Sequence, residues 1–232
     1  MVEIKGLIKF APKDFVGFIS STVFLGGCNF RCPFCHNSDL VLKPQTLPTF
    51  PLDYFLSYLD SRKGWLEGIC VSGGEPLIHE DLGVLLALIK ERNLLVKVDT
   101  NGSLPQVLEE LVERRLIDQV AMDVKAPLDR YREVCGAAVS EKDILKSIEI
   151  IKNSGLTYLF RTTAVPGLVG PEEIRRIGEM LDGAKLFQVQ QFQPENTIDR
   201  SYLRTSPYSS EELQALARFA EPYFAEIRIE GI

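Results

Sequence analysis

Short apolar segments rich in β-forming residues alternate with amphipathic segments along most of this 232-residue chain. Six strands are predicted, at residues 18–25, 67–72, 94–100, 118–124, 157–163 and 185–192. Six helices are predicted, near residues 52–62, 80–92, 104–115, 140–154, 171–182 and 210–220. Because strands connected through helices pair in parallel, the alternation predicts an α/β fold with mostly parallel strands. Six β/α units are fewer than the eight of a closed barrel but can form a partial (β/α)6 barrel.

Four of the predicted helices carry end signals: one begins with Ser103 then Pro105, one runs from Pro171 to Gly183, and two begin with a recognisable cap. Ser140 is followed by Asp143, and Ser209 is followed by Glu212, so a hydroxyl and a carboxylate stand at the first turn of each helix. The helix that begins at Ser140 is expected to end at Gly155, since glycine readily adopts the left-handed conformation that closes a helix. These helix predictions therefore depend on end signals as well as on periodicity.

The bulk composition excludes several classes of protein. A net charge of -6 without a Lys/Arg cluster argues against nucleic-acid binding. The longest apolar run, residues 84–89, is too short to span a bilayer, and the N-terminal residues contain no signal-peptide core, so we expect a cytoplasmic protein that does not bind membranes. Since the chain has no linker, charge block or repeat, we predict a single domain over residues 1–232.

Polar and glycine-rich segments follow the predicted strands in chain order. They read GGCNFRC, GGEP, DTNG, DVK, RTTAVPG and QQFQP. In open parallel sheets and in barrels alike, ligands bind at the carboxyl ends of the strands. The sequence therefore predicts that these segments form one ligand site.

Three of the five cysteines, Cys28, Cys32 and Cys35, lie within eight positions as C-x-x-x-C-x-x-C. In a reducing compartment clustered thiols bind metal or perform chemistry more often than they form disulfides. Three thiolates suit an iron–sulfur cluster that keeps one iron open, and the spacing favours this interpretation. A structural zinc site would need a fourth ligand, and unligated core cysteines are a further alternative. The candidates for that fourth ligand are His36, Cys70 and Cys135.

The cysteine motif with Phe34 before its last cysteine, followed by SGGEP at residues 72–76, resembles the radical S-adenosylmethionine (SAM) superfamily. More narrowly, the segments TVFLGGCNFRCPFCHN, VSGGEP, VKVDTNGS, VAMDVKAP, FRTTAVPGL and QQFQP resemble the activating proteins of anaerobic ribonucleoside-triphosphate reductase. Those proteins are relatives of the pyruvate formate-lyase activase. The resemblance runs from about residue 15 to residue 200, and it implies a partial (β/α)6 barrel of the radical SAM type.

The resemblance implies that Cys28, Cys32 and Cys35 are the catalytic metal ligands of a 4Fe-4S cluster. The open iron of such a cluster chelates SAM, and one electron then cleaves SAM to methionine and a 5′-deoxyadenosyl radical. Further residues are expected to bind SAM by the same resemblance. These are Phe34 beside the adenine, Gly73 and Gly74 beside the methionine end, and Glu75 at the ammonium group. A buried anchor of the loop is the alternative role for Phe34, and Gly-Gly-acid-Pro is also an ordinary turn.

Charged residues at three strand ends complete the predicted SAM pocket: Asp99, Asp123 with Lys125, and Arg161. Alternation along a strand puts Asp123 and Lys125 on one face, where buried charges need partners. They form either a structural ion pair or, by the resemblance, a contact from Lys125 to the SAM carboxylate. Arg161 is expected either to contact the cofactor or to balance a charge.

The remaining histidines and cysteines are expected to have structural roles. His36 is expected to donate a hydrogen bond near the cluster rather than to be a ligand. His79 is expected to open a helix at the surface. Cys70 and Cys135 are expected to be small core residues.

The resemblance implies an oxidoreductase that abstracts hydrogen from a glycine of its protein substrate. The partners implied are a transiently bound glycyl-radical ribonucleoside-triphosphate reductase and a flavodoxin- or ferredoxin-type reductant. Three alternatives remain: the activase of another glycyl-radical enzyme, a small-molecule radical SAM enzyme such as a deazapurine synthase, and a zinc-binding structural module.

Overall fold

The computed structural model describes residues 2–231. Within this range the chain forms eight strands, β1 Ile4–Ile8, β2 Ser20–Leu25, β3 Gly68–Gly73, β4 Leu95–Thr100, β5 Gln119–Asp123, β6 Thr157–Ala164, β7 Leu186–Gln191 and β8 Glu226–Glu230. The α-helices in the same range are α1 Ser38–Leu42, α2 Leu52–Ser61, α3 Leu82–Lys90, α4 Pro105–Glu113, α5 Tyr131–Cys135, α6 Glu141–Asn153, α7 Pro171–Met180 and α8 Ser210–Arg218.

The strands follow one another in the sheet in the order β1 to β8. β1 pairs with β2 in the antiparallel direction, whereas β2 with β3, β3 with β4, β6 with β7, and β7 with β8 pair in parallel. The predicted α/β class with mostly parallel strands is therefore confirmed, and the strand order is consistent with a partial barrel.

The chain forms two compact units by its internal contacts. The first contains residues 2–29, 39–100 and 104–120, and the second contains residues 30–38, 101–103 and 121–231. In the first unit α3 packs on β4, and in the second unit α8 packs on β7 and β8. The single-domain organisation expected for residues 1–232 stays a prediction.

The strands of each unit are buried in the manner expected of a sheet covered by helices. Four successive residues of β3 are buried, and β4 buries Val96 and Val98. In the second unit Phe160 of β6 and Phe187 of β7 are fully buried, and the Phe187 ring stacks on Phe224 at 4.7 Å. Continuous apolar runs of this kind are typical of parallel strands that are covered on both faces.

The six predicted strands and six predicted helices each correspond to an observed element, with ends within about three residues. The two predicted caps are also present, since the Ser140 hydroxyl accepts from Asp143 N and the Ser209 hydroxyl accepts from Glu212 N. Gly155 follows α6 with φ +74, as expected. β1 and β8 were not predicted. Each is a five-residue strand near one end of the chain, and β8 carries charges at alternate positions, so neither shows the apolar run that identified the others.

His79 was predicted wrongly as a surface residue that opens a helix. It is half-buried and follows a 3-10 turn at Pro76–Ile78, while α3 begins only at Leu82. Its Nε2 lies 2.9 Å from the carbonyl oxygen of Gly26, just before the first clustered cysteine. No helix within residues 2–231 combines the length and the apolar character needed to cross a membrane.

Candidate radical-chemistry site

The Gly73–Glu75 loop is joined to the end of β2 by backbone hydrogen bonds. Gly74 N donates to Leu25 O at 2.9 Å, and Glu75 N donates to Gly27 O at 2.8 Å. Gly27 N in turn donates to Leu40 O at 2.7 Å. Because these bonds join main-chain atoms, the loop is held in place against the residues that lead into the cysteine motif.

Neither glycine of this loop leaves room for a side chain. Gly73 has φ +124, and a Cβ there would lie 2.3 Å from Leu25 O. A Cβ on Gly74 would lie 1.7 Å from Gly27 O and 3.3 Å from Cys28 Cβ. The glycines thus allow two stretches of backbone to meet, and the same contact places Cys28 beside Gly74. The chain's own packing explains both glycines, and their predicted contact with SAM stays a prediction.

Glu75 is a carboxylate enclosed by protein, with only 1% of the residue exposed. Its Oε1 accepts hydrogen bonds from Leu77 N at 3.1 Å and from Thr100 Oγ1 at 2.8 Å. Pro76 starts the 3-10 turn that supplies the Leu77 amide. Thr100 was not singled out from the sequence, although it belongs to the DTNG segment that was, and its hydroxyl positions Glu75.

Asp99 lies within a small polar network between β3 and β4. Lys97 Nζ donates to Asp99 Oδ1, and Ser72 Oγ donates to Asp99 Oδ2 at 3.1 Å. Lys97 is only 4% exposed, and its ammonium also lies 3.7 Å from Cys70 Sγ. Lys97 was missed from the sequence, yet the spacing of two in VKVDT was the available signal, since alternate residues of a strand share a face.

The second unit contains the rest of the cysteine motif. Cys35 N donates to Cys32 O at 3.0 Å, which forms a tight turn between these two predicted ligands. Phe34 is 5% exposed, and its ring lies 6.4 Å from the ring of Tyr202 in an edge-to-face arrangement. Asp199 N donates to Pro33 O at 2.8 Å. The segment after β7 therefore packs over this part of the motif, and Phe34 is buried as the loop-anchor alternative expected.

Asp123, Lys125 and Arg161 form one charged group. Lys125 Nζ donates to Asp123 Oδ2 at 3.0 Å, and Arg161 Nε donates to Asp123 Oδ1. Burial alone would raise the pKa of the Asp123 carboxyl, but the two cations outweigh burial and hold that pKa well below its ordinary value. Burial alone would lower the pKa of Lys125, but Asp123 and the Cys32 thiolate raise it above its ordinary value. The expected ion pair of Asp123 and Lys125 is confirmed, and Lys125 stays charged at neutral pH.

The two cysteines of this unit differ in their surroundings. A hydrogen bond with the Cys135 side chain lowers the pKa of the Cys32 thiol, against the opposing effect of burial, and Lys125 acts in the same direction as the hydrogen bond. Burial raises the pKa of the Cys35 thiol. Cys70 and Cys135 are fully buried, as expected of core residues, although each also contacts a polar neighbour.

All five cysteines lie within the described residues and form no disulfide. Among residues 2–231, no three Cys, His, Asp or Glu side chains are grouped so as to hold a single metal ion. In chemical type the donor set fits an iron–sulfur cluster, because thiolates are the usual ligands of such clusters.

The predicted site residues thus fall into two groups, one in each unit. The first unit contains Cys28, Gly73, Gly74, Glu75 and Asp99, and the second contains Cys32, Phe34, Cys35, Asp123, Lys125 and Arg161. Within each group a clustered cysteine lies near residues expected to bind SAM. Cys28 lies beside Gly74, and the charges of Lys125 and Asp123 act on Cys32 and Cys35.

Comparison with known proteins gives a family match and close relatives. Residues 22–181 match the family described as the Radical SAM superfamily. A Methanocaldococcus jannaschii protein named "Putative glycyl-radical enzyme activating enzyme" is 32% identical over 235 residues, which cover 99% of this chain and 96% of the relative. The pyruvate formate-lyase-activating enzyme of Streptococcus mutans serotype c is 30% identical over 192 residues, which cover 78% of this chain and 72% of the relative.

The chain is also similar to a different enzyme over a shorter length. The 7-carboxy-7-deazaguanine synthase of Aquifex aeolicus is 32% identical over 91 residues, or 38% of this chain and 39% of that enzyme. Among solved structures, Streptococcus suis SuiB superposes with a TM-score of 0.68 at 17% identity, over 89% of this chain and 47% of SuiB. The chain thus spans about half the length of that structure, and the similarity concerns the fold.

Proposed function

Because the chain belongs to the radical SAM superfamily and is homologous to glycyl-radical enzyme activating enzymes, we propose that it is such an activase. The proposed reaction removes a hydrogen atom from a glycine Cα of a partner enzyme and leaves a glycyl radical there. The observation that carries the proposal is the 32% identity to a relative of that name along 99% of the chain. The proposed partner is the anaerobic ribonucleoside-triphosphate reductase, which the motif resemblance favours.

Membership of the superfamily implies a 4Fe-4S cluster and SAM. We assign Cys28, Cys32 and Cys35 as the three ligands of that cluster, because their side chains are thiols and their spacing suits one cluster with an open iron. When bound, the cluster supplies the electron that cleaves SAM reductively. Three thiolate ligands require reducing conditions, which supports the cytoplasmic location and a flavodoxin- or ferredoxin-type reductant.

The chain's own residues are proposed to hold SAM through fixed charges. Glu75 presents a carboxylate that two neutral donors already orient, which suits an ammonium group. Lys125 presents an ammonium that Asp123 keeps charged, which suits the SAM carboxylate. Arg161 also pairs with Asp123, so its proposed role is to balance that carboxylate beside the cofactor.

The other assigned residues shape the pocket. Gly73 and Gly74 are proposed to offer backbone to the methionine end of SAM, and Phe34 to pack against the adenine. Asp99, oriented by Lys97 and Ser72, is proposed to supply a hydrogen-bond acceptor. Hydrogen abstraction by a primary carbon radical is selective only when the target carbon is held next to it. A glycine suits this requirement, because its backbone can enter a narrow mouth without a side chain.

A second candidate function is a radical SAM reaction on a small molecule, as in the deazaguanine synthases. The observation in its favour is the 32% identity to the Aquifex aeolicus enzyme. That match covers 38% of the chain, whereas the activase relative covers 99%, so we prefer the activase.

The partner experiment tests the activase proposal and the choice of partner. Anaerobically reconstituted protein is mixed with SAM, a reductant and the anaerobic ribonucleoside-triphosphate reductase, and the electron paramagnetic resonance spectrum is recorded. A doublet that collapses when the partner's glycine carries Cα deuterium supports the proposal. A radical on another glycyl-radical enzyme, with none on the reductase, would keep the activase and reject the partner.

Iron analysis tests the ligand assignment. The reconstituted protein should bind about four irons and four sulfides, and Ala at any of Cys28, Cys32 or Cys35 should abolish this, since each holds one iron of the cluster. Cys70→Ala is the matched control, because it removes a buried cysteine outside the motif. Stoichiometric zinc without iron would reject the cluster.

A further inference from the structure

Cys135 is a buried thiol that the proposed reaction does not use. It is the last residue of α5 and is 0% exposed. Its side chain forms a hydrogen bond with the side chain of Cys32, one of the three proposed ligands. A core residue that only fills space would need no such contact, so the pair requires its own explanation.

The backbone around Cys135 holds the two thiols together. Cys135 O accepts a hydrogen bond from Arg31 N at 2.7 Å, one residue before Cys32. Gly136 then turns the chain with φ +59, and a Cβ there would lie 2.4 Å from Arg31 O. The end of α5 and the start of the C-x-x-C turn are thus in direct main-chain contact. The contact between the Cys32 and Cys135 side chains is therefore supported by main-chain contacts of the residues beside them.

The direction of the hydrogen bond follows from the chemistry of a ligand. A cysteine that binds iron is a thiolate and has no S–H to donate. In the Cys32 and Cys135 pair, the proton must then belong to Cys135, and its S–H donates to Cys32 Sγ. Reducing an iron–sulfur cluster adds negative charge, part of which resides on the ligand sulfurs. A donor aimed at one of those sulfurs stabilises the reduced form more than the oxidised form.

We propose that Cys135 is a positioning residue whose S–H donates to Cys32 Sγ and raises the reduction potential of the cluster held there. The inference rests on the proposed function, because it assumes that Cys32 binds the cluster. It assigns Cys135 a role distinct from that of a fourth ligand and from that of a purely apolar core residue. The iron content should therefore be independent of Cys135, and only the potential should respond.

An anaerobic redox titration of the reconstituted protein tests this inference, with the reduced cluster followed by electron paramagnetic resonance. Cys135→Ala removes the donor, and the midpoint potential should shift to more negative values with four irons still bound. Cys135→Val also lacks a donor but refills the space, and it should give a shift of the same sign. Cys135→Ser keeps an O–H donor and should lie closer to the unsubstituted protein. Cys70→Ala is the control for loss of a buried thiol elsewhere and should leave the potential unchanged.

The possible outcomes distinguish failure of this inference from failure of the proposed function. Full iron with an unchanged potential in both Cys135→Ala and Cys135→Val overturns the inference and leaves the proposed function standing. Loss of iron in these variants, with retained folding by circular dichroism, also overturns it, because Cys135 would then be a ligand. Failure of the unsubstituted protein to bind any iron–sulfur cluster would reject the proposed function and this inference with it.

Discussion

The Gly73–Glu75 loop and the charged group of Asp123, Lys125 and Arg161 are both predicted to bind SAM, but they are built on opposite physical principles. The loop is held by main-chain hydrogen bonds and by backbone contacts that exclude any side chain. The charged group is held by a carboxylate shared between two cations. The loop therefore depends on glycines that have no side chain, whereas the charged group depends on the pairing of opposite charges.

This difference predicts how each region should respond to substitutions and to pH. A steric contact between backbone atoms cannot relax by rotating a side chain, and it does not depend on protonation. A charged group depends on every partner keeping its charge, so it should respond to charge removal and to pH. Three substitutions test this comparison.

The first prediction concerns Gly74→Ala, which should lower the free energy of unfolding by about 3 kcal/mol. The reason is that the new methyl group would lie 1.7 Å from Gly27 O, a main-chain atom. Urea unfolding followed by circular dichroism at neutral pH measures the effect. The matched control is Gly155→Ala, where φ is +74 but nothing lies within 4 Å of the added Cβ, so only the backbone cost of about 1 kcal/mol is expected. Equal effects at the two glycines would refute the steric account of the loop.

The second prediction concerns Asp123→Asn, which keeps the shape of the side chain and removes its charge. It leaves Lys125 and Arg161 as neighbouring cations, and we expect a loss of about 2 kcal/mol in unfolding free energy. This figure is below that for a fully buried pair, because Asp123 is 23% exposed. An exposed helical pair serves as control: Glu110→Gln, which removes the partner of Arg114, should change stability little.

The pH dependence of Asp123→Asn sharpens the same prediction. The pKa of Asp123 is lowered in the folded protein, so its contribution is present above its unfolded pKa of about 4 and is lost as the pH falls below that value. The difference in stability between the unsubstituted protein and Asp123→Asn should therefore shrink from pH 6 to pH 3. The cost of Gly74→Ala should stay constant over the part of this range where both proteins remain folded. If Asp123→Asn cost as much stability at pH 3 as at pH 6, the predicted contrast between the charged group and the loop would be wrong.

The third and smallest effect is expected for Thr100→Val, which removes the hydroxyl that donates to Glu75 Oε1. Losing one hydrogen bond to a buried carboxylate should cost about 1.5 kcal/mol, with Thr100→Ser as the control that keeps the donor. Urea unfolding measures the stability, and equilibrium dialysis measures SAM affinity in the reconstituted protein. Weaker SAM binding in Thr100→Val but not in Thr100→Ser would connect the loop to the cofactor. Identical behaviour of both variants would show that Thr100 does not position Glu75.

Much of the fold could be predicted from the sequence, because local patterns determine it. The six internal strands are apolar runs bounded by glycine or polar residues, and the caps at Ser140 and Ser209 were identified from the sequence and are present. β1 and β8 were missed because a short strand at a sheet edge needs little apolar character. His79 was placed wrongly because its hydrogen bond to Gly26 joins residues that are 53 positions apart.

The α/β class, the cysteine spacing and the identity of the residues that follow each strand can be read from the amino-acid sequence, since all of these are properties of neighbouring positions. The folded structure is needed to see which groups are in contact: Thr100 with Glu75, Arg161 with Asp123, and Cys135 with Cys32. Each of these contacts joins residues from different elements of the fold, so no local pattern records them. Hydrogen bonds and ion pairs act over a few ångströms in space, whatever the separation of the two residues along the chain.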